Sequence, residues 1–263
     1  MTTVTIDIPQ DHGYLIPIGD LHRGDRHLSA RGLNKLKGYL DWVKERENAR
    51  IFLMGDILNV ASRSSKTNPF ESMSGNDEYQ KSVELFKPYA SQIVGAITGN
   101  HEQRMYREFG FNPLQPFCNE LGIKFCEFSA ALKIRVGKRK RNGKESNDQY
   151  VQTYWGYAHH GTGGGGTLGN ALNKKMKLQE IVHGMDFYMA GHDHQLVAGC
   201  RNILMPKRDV IEHQRVWYID TGSFLDWDGS YAEEAAMPIG KQGAPRLRFE
   251  GKHHRNHDLH VSM

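Results

Sequence analysis

Apolar and polar residues repeat with different periods along the chain, and those periods divide it into strands and helices. Val4 to Ile8 and Tyr14 to Ile18 alternate as short β runs around the turn-rich Pro9 to Gly13, which predicts a hairpin at the start of the chain. Ser29 stands as a cap before Leu33, Leu36, Leu40 and Val43, whose three- and four-residue spacing predicts a helix that dies out at Asn48. A strand from Ile51 to Met54 follows. A second helical pattern, Tyr79, Val83, Phe86 and Tyr89, leads into the apolar run Ile93 to Thr98. The unit strand, polar loop, helix has then occurred twice, as α/β layering requires.

Beyond Ile123 the texture turns β-rich. Ala130 to Val136 and Tyr150 to Ala158 flank the polar tip Gly137 to Asp148 and predict a long hairpin. After the glycine run Gly163 to Gly166, a helix near Leu168 to Val182 leads to the strand Phe187 to Ala190, and the β runs Leu196 to Leu204 and Arg215 to Ile219 follow. Ala61 to Asn76 and the stretch from Asp226 onward read as polar, irregular loops. No repeat or linker divides the 263 residues, so 1–263 is read as a single domain.

Composition narrows the class. With 38% hydrophobic and 24% charged residues and a mean hydropathy of −0.62, the chain reads as a globular protein without a membrane span or signal-like start. Lys and Arg number 34 against 30 Asp and Glu, a net +4 that tolerates an anionic partner without requiring one. Cys118, Cys126 and Cys200 are odd in number and lack C-x-x-C spacing, which indicates neither a disulfide framework nor a thiolate zinc site and points to a reducing, cytoplasmic setting. They read as small core residues. Lys174, Lys175 and Lys177 read as a solvated helix face, and His253, His254, His257 and His260 as exposed.

The candidate chemistry sits where the predicted strands end. These ends carry Gly19-Asp20-Leu21-His22, Gly55-Asp56, Gly99-Asn100-His101-Glu102, His159-His160-Gly161 and Gly191-His192-Asp193-His194. Loops at strand ends converge on one rim, and residues two apart in extended backbone project to the same side, so Asp20 with His22 and His192 with His194 can face one cluster of metal ions. Asp56 adds a carboxylate, Asn100 a carbonyl oxygen, and one of His159 and His160 an imidazole, a mixed nitrogen and oxygen set suited to Mn, Fe, Zn or Co. With 28 Gly and 14 His in the chain, Gly-Asn-His-acid has a chance expectation on the order of 0.01.

In this order the blocks resemble the five-block signature of the calcineurin-like metallophosphoesterases, and Thr221-Gly222-Ser223 is similar to a strand-end turn that many members carry. The resemblance implies a four-layer αββα sandwich of two mixed β-sheets with outer helices. It implies that Asp20, His22, Asp56 and His194 hold one divalent metal, and that Asp56, Asn100, His160 and His192 hold a second, with Asp56 bridging. His160 is preferred to His159 because the family ligand often precedes Gly. His101 matches the non-ligand histidine that faces the phosphate and the leaving group. Arg23 and Arg104 flank the ligands closely enough to reach a substrate phosphate, beside Asn100 and His101. Asn59 stands where many relatives have a second Asp, a departure that touches substrate orientation more than metal binding.

Two divalent ions bring +4 against −2 from Asp20 and Asp56, so the centre keeps net positive charge for a phosphate. Mn²⁺ is the favoured metal, with Fe, Zn, Co or Ni also accepted by this donor set. A hydroxide bridging the two ions would attack phosphorus in line while His101 protonates the leaving oxygen, held in place by Glu102 or a backbone oxygen. The basic run Lys138 to Arg141 with Lys144 favours a phosphodiesterase acting on DNA or a nucleotide. The alternatives are a phosphomonoesterase for a small metabolite or phosphoprotein, and a non-catalytic protein-binding scaffold, a use of this fold known from a retromer subunit. The scaffold reading predicts missing ligands, and here every position is filled.

Overall fold

The computed structural model describes residues 1–62, 65, 73–141, 144–163, 167–207, 209–234, 236–253 and 257–263, with side chains for all of these except 139–141, 144–149, 207 and 231. Strands β1 (Thr2–Ile8) and β2 (His12–Ile18) precede α1 (Ala30–Lys44), β3 (Ala49–Leu53), α2 (Gly75–Phe86) and β4 (Ile93–Ala96). Then come α3 (Asn100–Phe109), α4 (Leu114–Leu121), the long pair β5 (Ser129–Arg141) and β6 (Lys144–His159), and α5 (Leu168–Lys177). The chain closes with β7 (Phe187–Ala190), β8 (Leu196–Lys207), β9 (Val210–Thr221), α6 (Tyr231–Glu234), β10 (Arg246–Glu250) and β11 (Leu259–Ser262).

The strands form two mixed sheets, one in the order β1-β5-β6-β7-β9-β8 and one in the order β11-β10-β2-β3-β4. Between them lies a core of Ile6, Leu132, Tyr154, Phe187 and Ile219 from the first sheet and Leu15, Phe52, Leu247 and Phe249 from the second. Burying each such side chain contributes about 1.5 to 3 kcal/mol. Helices α1, α2 and α4 cover the outer face of the second sheet through Leu36, Leu40, Val83, Phe86 and Phe117. On the other side α5 and Leu178 cover Tyr157, Tyr188 and Tyr218. This is the expected four-layer sandwich.

The expected opening hairpin is absent. β1 pairs in parallel with β5, whereas β2 lies in the other sheet between β10 and β3. Residues 9–11 carry the chain from one sheet to the other, and Ile8 and Leu15 both end in the core between them. Alternation reports a buried face, not which strand lies alongside. The stretch from Asp226 is likewise more ordered than its polarity indicates, because Leu247, Phe249, Leu259 and Val261 alternate into the central core as β10 and β11. His257 is exposed, as expected, yet stacks on Tyr154 at 4.2 Å and lies 2.9 Å from Asp186 Oδ1. His253 and His260 are exposed, and His254 lies outside the described residues. Cys118 and Cys126 are buried, but Cys200 is exposed on β8, an edge strand of its sheet.

Local signals behaved as the residues dictate. Ser29 accepts from Gly32 N and caps α1, and Ser74 does the same for α2 from Asp77 N. The helix around Tyr79 to Tyr89 breaks at Lys87–Gln92 into a 3-10 turn with proline near its start. Most of Ala61 to Asn76, Gly164 to Gly166 and the side chains of the basic tip from Arg139 onward lie outside the described residues.

Candidate metal centre

Strands β2, β3 and β4 run parallel in one sheet, and β6, β7 and β9 run parallel in the other. The functional blocks lie just beyond the carboxyl ends of these six strands, where α/β sheets open a crevice. Three groups of potential ligands meet there: Asp20 with His22 and His194, His22 with Asp56 and His101, and Asp56 with His160 and His192. Within each group the donor atoms lie within 4.8 Å of one another.

Asp56 is the shared member. Its Oδ2 is 3.3 Å from His160 Nε2, 3.8 Å from His22 Nε2 and 3.9 Å from His101 Nε2. On one side, His22 Nε2 and His194 Nε2 are 3.1 Å apart, and Asp20 Oδ1 is 3.3 Å from the latter. On the other side, Asn100 Oδ1 is 3.0 Å from His160 Nε2 and 2.7 Å from His192 Nδ1. Every ligand residue named from the sequence thus reaches one cluster. His159 points elsewhere and accepts from Gly161 N, so of the adjacent pair it is His160 that faces Asp56.

The backbone reaches this arrangement by a route the sequence did not reveal. Asp20, His22, Asp56, His192 and His194 have φ values of 49, 47, 50, 73 and 56°, in the left-handed region and not in extended chain. Such a conformation costs on the order of 1 to 3 kcal/mol per non-glycine residue and persists only where neighbours enforce it. Here they do: Asp20 N bonds Gly55 O, His22 N bonds Asp56 O, His192 N bonds Asp20 Oδ1 and Oδ2, and His101 N bonds Asp56 Oδ1. Ser223 Oγ, from the turn after β9, donates to Asp20 O. A β-carbon on Gly99 would overlap Asp56 Oδ1, and one on Gly191 would overlap Asp20 Oδ2, so the glycines of these blocks make room for carboxylates.

Glu102 is fully buried, and its carboxylate bonds the backbone rather than the His101 ring. Its carboxylate accepts from the N–H groups of Asp56, Ile57, Leu58 and Gly99 at 2.7 to 3.0 Å, tying the Asp56 loop to the start of α3. Burial and the neighbouring Asp56 charge push its carboxyl up to about 7 against the pull of those N–H donors. His101 is oriented instead through Nδ1, 2.7 Å from the backbone oxygen of Asn59. Glu78 is a second buried acid, accepting from Val60 N at 2.8 Å, and burial pushes it to about 7.

The charges suit cations. Burial works against a proton on His160, yet the Asp56 and Asp20 carboxylates lift its ring to about 10, so this pocket attracts positive charge strongly. Burial also opposes ionisation of Asp56, but His160 and His101 hold it well below the ordinary carboxylate range. His22 is driven well below 6.5 by burial and by the nearby His101, leaving a neutral imidazole of the kind that ligates metals. Carboxylate, amide and imidazole donors without a thiolate are the set that divalent Mn, Fe, Zn or Co accepts.

Arg23 and Arg104 lie half-buried beside this cluster, and Arg23 Nε and Arg104 Nη1 are buried with no hydrogen-bond partner among the described residues. Arg104 follows His101 by one helical turn of α3. The basic tip is placed differently. Ser129 pairs with His159 and Lys138 with Tyr150, which puts the start of the basic run about 30 Å along the sheet from His159 at about 3.3 Å per residue. Lys175, expected on a solvated face, is buried and ion-paired with Asp193 and Asp220.

The profile of the calcineurin-like phosphoesterase family matches residues 16–196. The chain belongs to that family. No curated protein sequence matches it. Among solved structures it is similar to the NAD nucleotidase NadN of Haemophilus influenzae, at 9% identity and a TM-score of 0.42, over 96% of this chain and 49% of that one. It is also similar to the calcineurin-like phosphoesterase YfkN of Bacillus subtilis, at 13% identity and a TM-score of 0.30, over 72% of this chain and 65% of that one. The chain thus spans about half the length of the first and under two thirds of the second. Among the described residues no helix is long and apolar enough to cross a membrane.

Proposed function

We propose that the chain is a dimetal phosphodiesterase. In this reading Asp20, His22, Asp56 and His194 hold one divalent ion, and Asp56, Asn100, His160 and His192 hold the other. The observation that carries it is the position of Asp56 Oδ2, within 3.9 Å of ring nitrogens of His22, His101 and His160, between the two groups of ligands. Divalent ions bound there, with Mn²⁺ preferred, supply the positive charge that binds phosphoryl oxygens and make water acidic enough to act as a nucleophile near neutral pH.

The protein's own groups do the rest. His101, fixed through Nδ1 to Asn59 O, presents Nε2 to the cluster and delivers a proton from that atom to the leaving oxygen. Burial lowers its affinity for that proton, which makes the protonated ring a stronger acid toward an alkoxide. Arg23 and Arg104, each with a buried guanidinium nitrogen that has no partner among the described residues, bind the non-reacting phosphate oxygens alongside Asn100 and His101. We assign residues 1–263 to one domain and the protein to the cytoplasm, in keeping with three unpaired cysteines.

Nucleotides or DNA are the proposed substrates. Because the basic tip lies far from the ligands, DNA held there would reach the metals only as a long polymer. Charge reversal of Lys138, Arg139, Lys140 and Arg141 is expected to weaken DNA binding and flatten its salt dependence while leaving small diesters untouched. The deciding measurement is hydrolysis of a bis-aryl phosphate by Mn²⁺-loaded protein. Asp56→Asn is expected to abolish it, and His101→Ala to lower it by about 10²- to 10⁴-fold, the range of general acid catalysis. Faster turnover of aryl monoesters would transfer the assignment to a phosphomonoesterase, and inertness on both esters would restore the scaffold reading.

A further inference from the structure

Beneath the His192 to His194 loop lies a lysine that takes no direct part in the chemistry above. Lys175, on α5, has 1% of its side chain exposed, and its Nζ is 2.6 Å from Asp193 Oδ2 and 2.5 Å from Asp220 Oδ2. Asp193 is the residue between the two histidines. Its other oxygen is held at 2.7 Å by Lys174 Nζ, which also bonds Gly163 O at 2.7 Å. Asp220, the second last residue of β9, accepts from Gly222 N through Oδ1. One ammonium therefore fastens the histidine loop to the end of a core strand, from inside the protein.

A buried ammonium is expensive unless it is fully paired, so a lysine in this place needs a reason. Two lysines against two aspartates make the cluster neutral, so it adds no net charge behind the metal ligands. What it does add is restraint. His192 and His194 hold φ of 73 and 56°, a conformation that relaxes unless something opposes it, and Asp193 is the only residue between them. The backbone bonds from His192 N to Asp20 restrain one side of the loop, and Lys175 restrains the other.

We propose that Lys175 is a positioning residue for the metal centre: through Asp193 it keeps His192 turned toward Asn100 and His194 toward Asp20 and His22. The proposal rests on the metal-centre reading and names a residue outside the recognised blocks. Partners one shell behind metal ligands typically change affinity by about 10- to 100-fold when removed.

The test is calorimetric titration of metal-free protein with Mn²⁺ and Zn²⁺, together with the melting temperature of the metal-free form. Lys175→Met is expected to melt earlier and to bind both ions about 10- to 100-fold more weakly. The double variant Lys175→Met, Asp220→Asn removes the unpaired carboxylate and keeps the cluster neutral. It is expected to regain most of the melting temperature while its metal affinity stays low, because Asp193 Oδ2 is still released. Recovery of affinity together with melting temperature would make Lys175 a structural counter-ion and overturn the proposal, as would wild-type affinity in Lys175→Met. Wild-type protein that takes up neither ion would sink the metal centre itself, and the role of Lys175 with it.

Discussion

The Asp56 loop and the His192 to His194 loop face the same problem and solve it with opposite charges. Both force non-glycine residues into left-handed backbone at the rim of a sheet. Beneath the first, the buried carboxylate of Glu102 gathers four backbone N–H groups directly. Beneath the second, the buried ammonium of Lys175 grips the Asp193 side chain and makes only a long 3.5 Å bond to the backbone, at Gly191 O, while the His192 N–H goes to Asp20. The difference follows from what each loop exposes downward. A turn that aims its N–H groups inward calls for an anion. A loop that already carries a carboxylate between two ligands calls for a cation. Direct backbone capture fixes more atoms per charge, so the Asp56 loop is the more rigidly determined of the two.

That contrast can be broken from the Glu102 side first. Glu102→Gln keeps the shape but replaces one accepting oxygen with an N–H donor facing backbone donors, and is expected to destabilise the protein by about 2 to 3 kcal/mol, the worth of charge-assisted hydrogen bonds. Thermal unfolding checks this, and an unchanged melting temperature would remove Glu102 from its assigned role.

On the other loop the outer lysine offers a graded comparison. Lys174 has 24% of its side chain exposed against 1% for Lys175, so Lys174→Met is expected to weaken metal binding by about 3-fold or less, solvent replacing the lost partner. An effect as large as that of Lys175→Met would mean that exposure does not rank the two.

The smallest expected effect sharpens the role of the second buried acid. Glu78 is raised by burial to about 7, above its ordinary 4.5. The folded state therefore holds its proton more tightly than the unfolded chain does, and stability from this group is complete below pH 4.5 and lost as pH rises through about 7. Glu78→Gln is expected to flatten the decline in melting temperature across that window. A decline equally steep in the variant would place its origin elsewhere.

Much of the site was legible because its chemistry needs particular residue types at strand ends. Asp20, His22, Asp56, Asn100, His101, His192 and His194 all fall in short blocks with glycine beside them, and the glycines are explained by the carboxylates that lie against Gly99 and Gly191. Glu102 was visible as part of its block, though its target is the Asp56 loop and not His101. Lys175 carried no signal, since a lysine between Lys174 and Met176 on an amphipathic helix looks solvated until the partner sheet is known. The hairpin expected at the start failed for a related reason: Val4 to Ile8 and Tyr14 to Ile18 have the right alternation for a buried face, and that face proved to be shared by two sheets.

The sequence by itself determined the class of chemistry and most of the ordered elements, because ligand type, glycine placement and hydrophobic period are local properties. Only the tertiary structure decided which strands pair, which of two adjacent histidines faces Asp56, and what holds the strained loops from beneath. Those depend on contacts between residues as far apart as Asp20 and His192, or Lys175 and Asp220, whose energies no local pattern encodes.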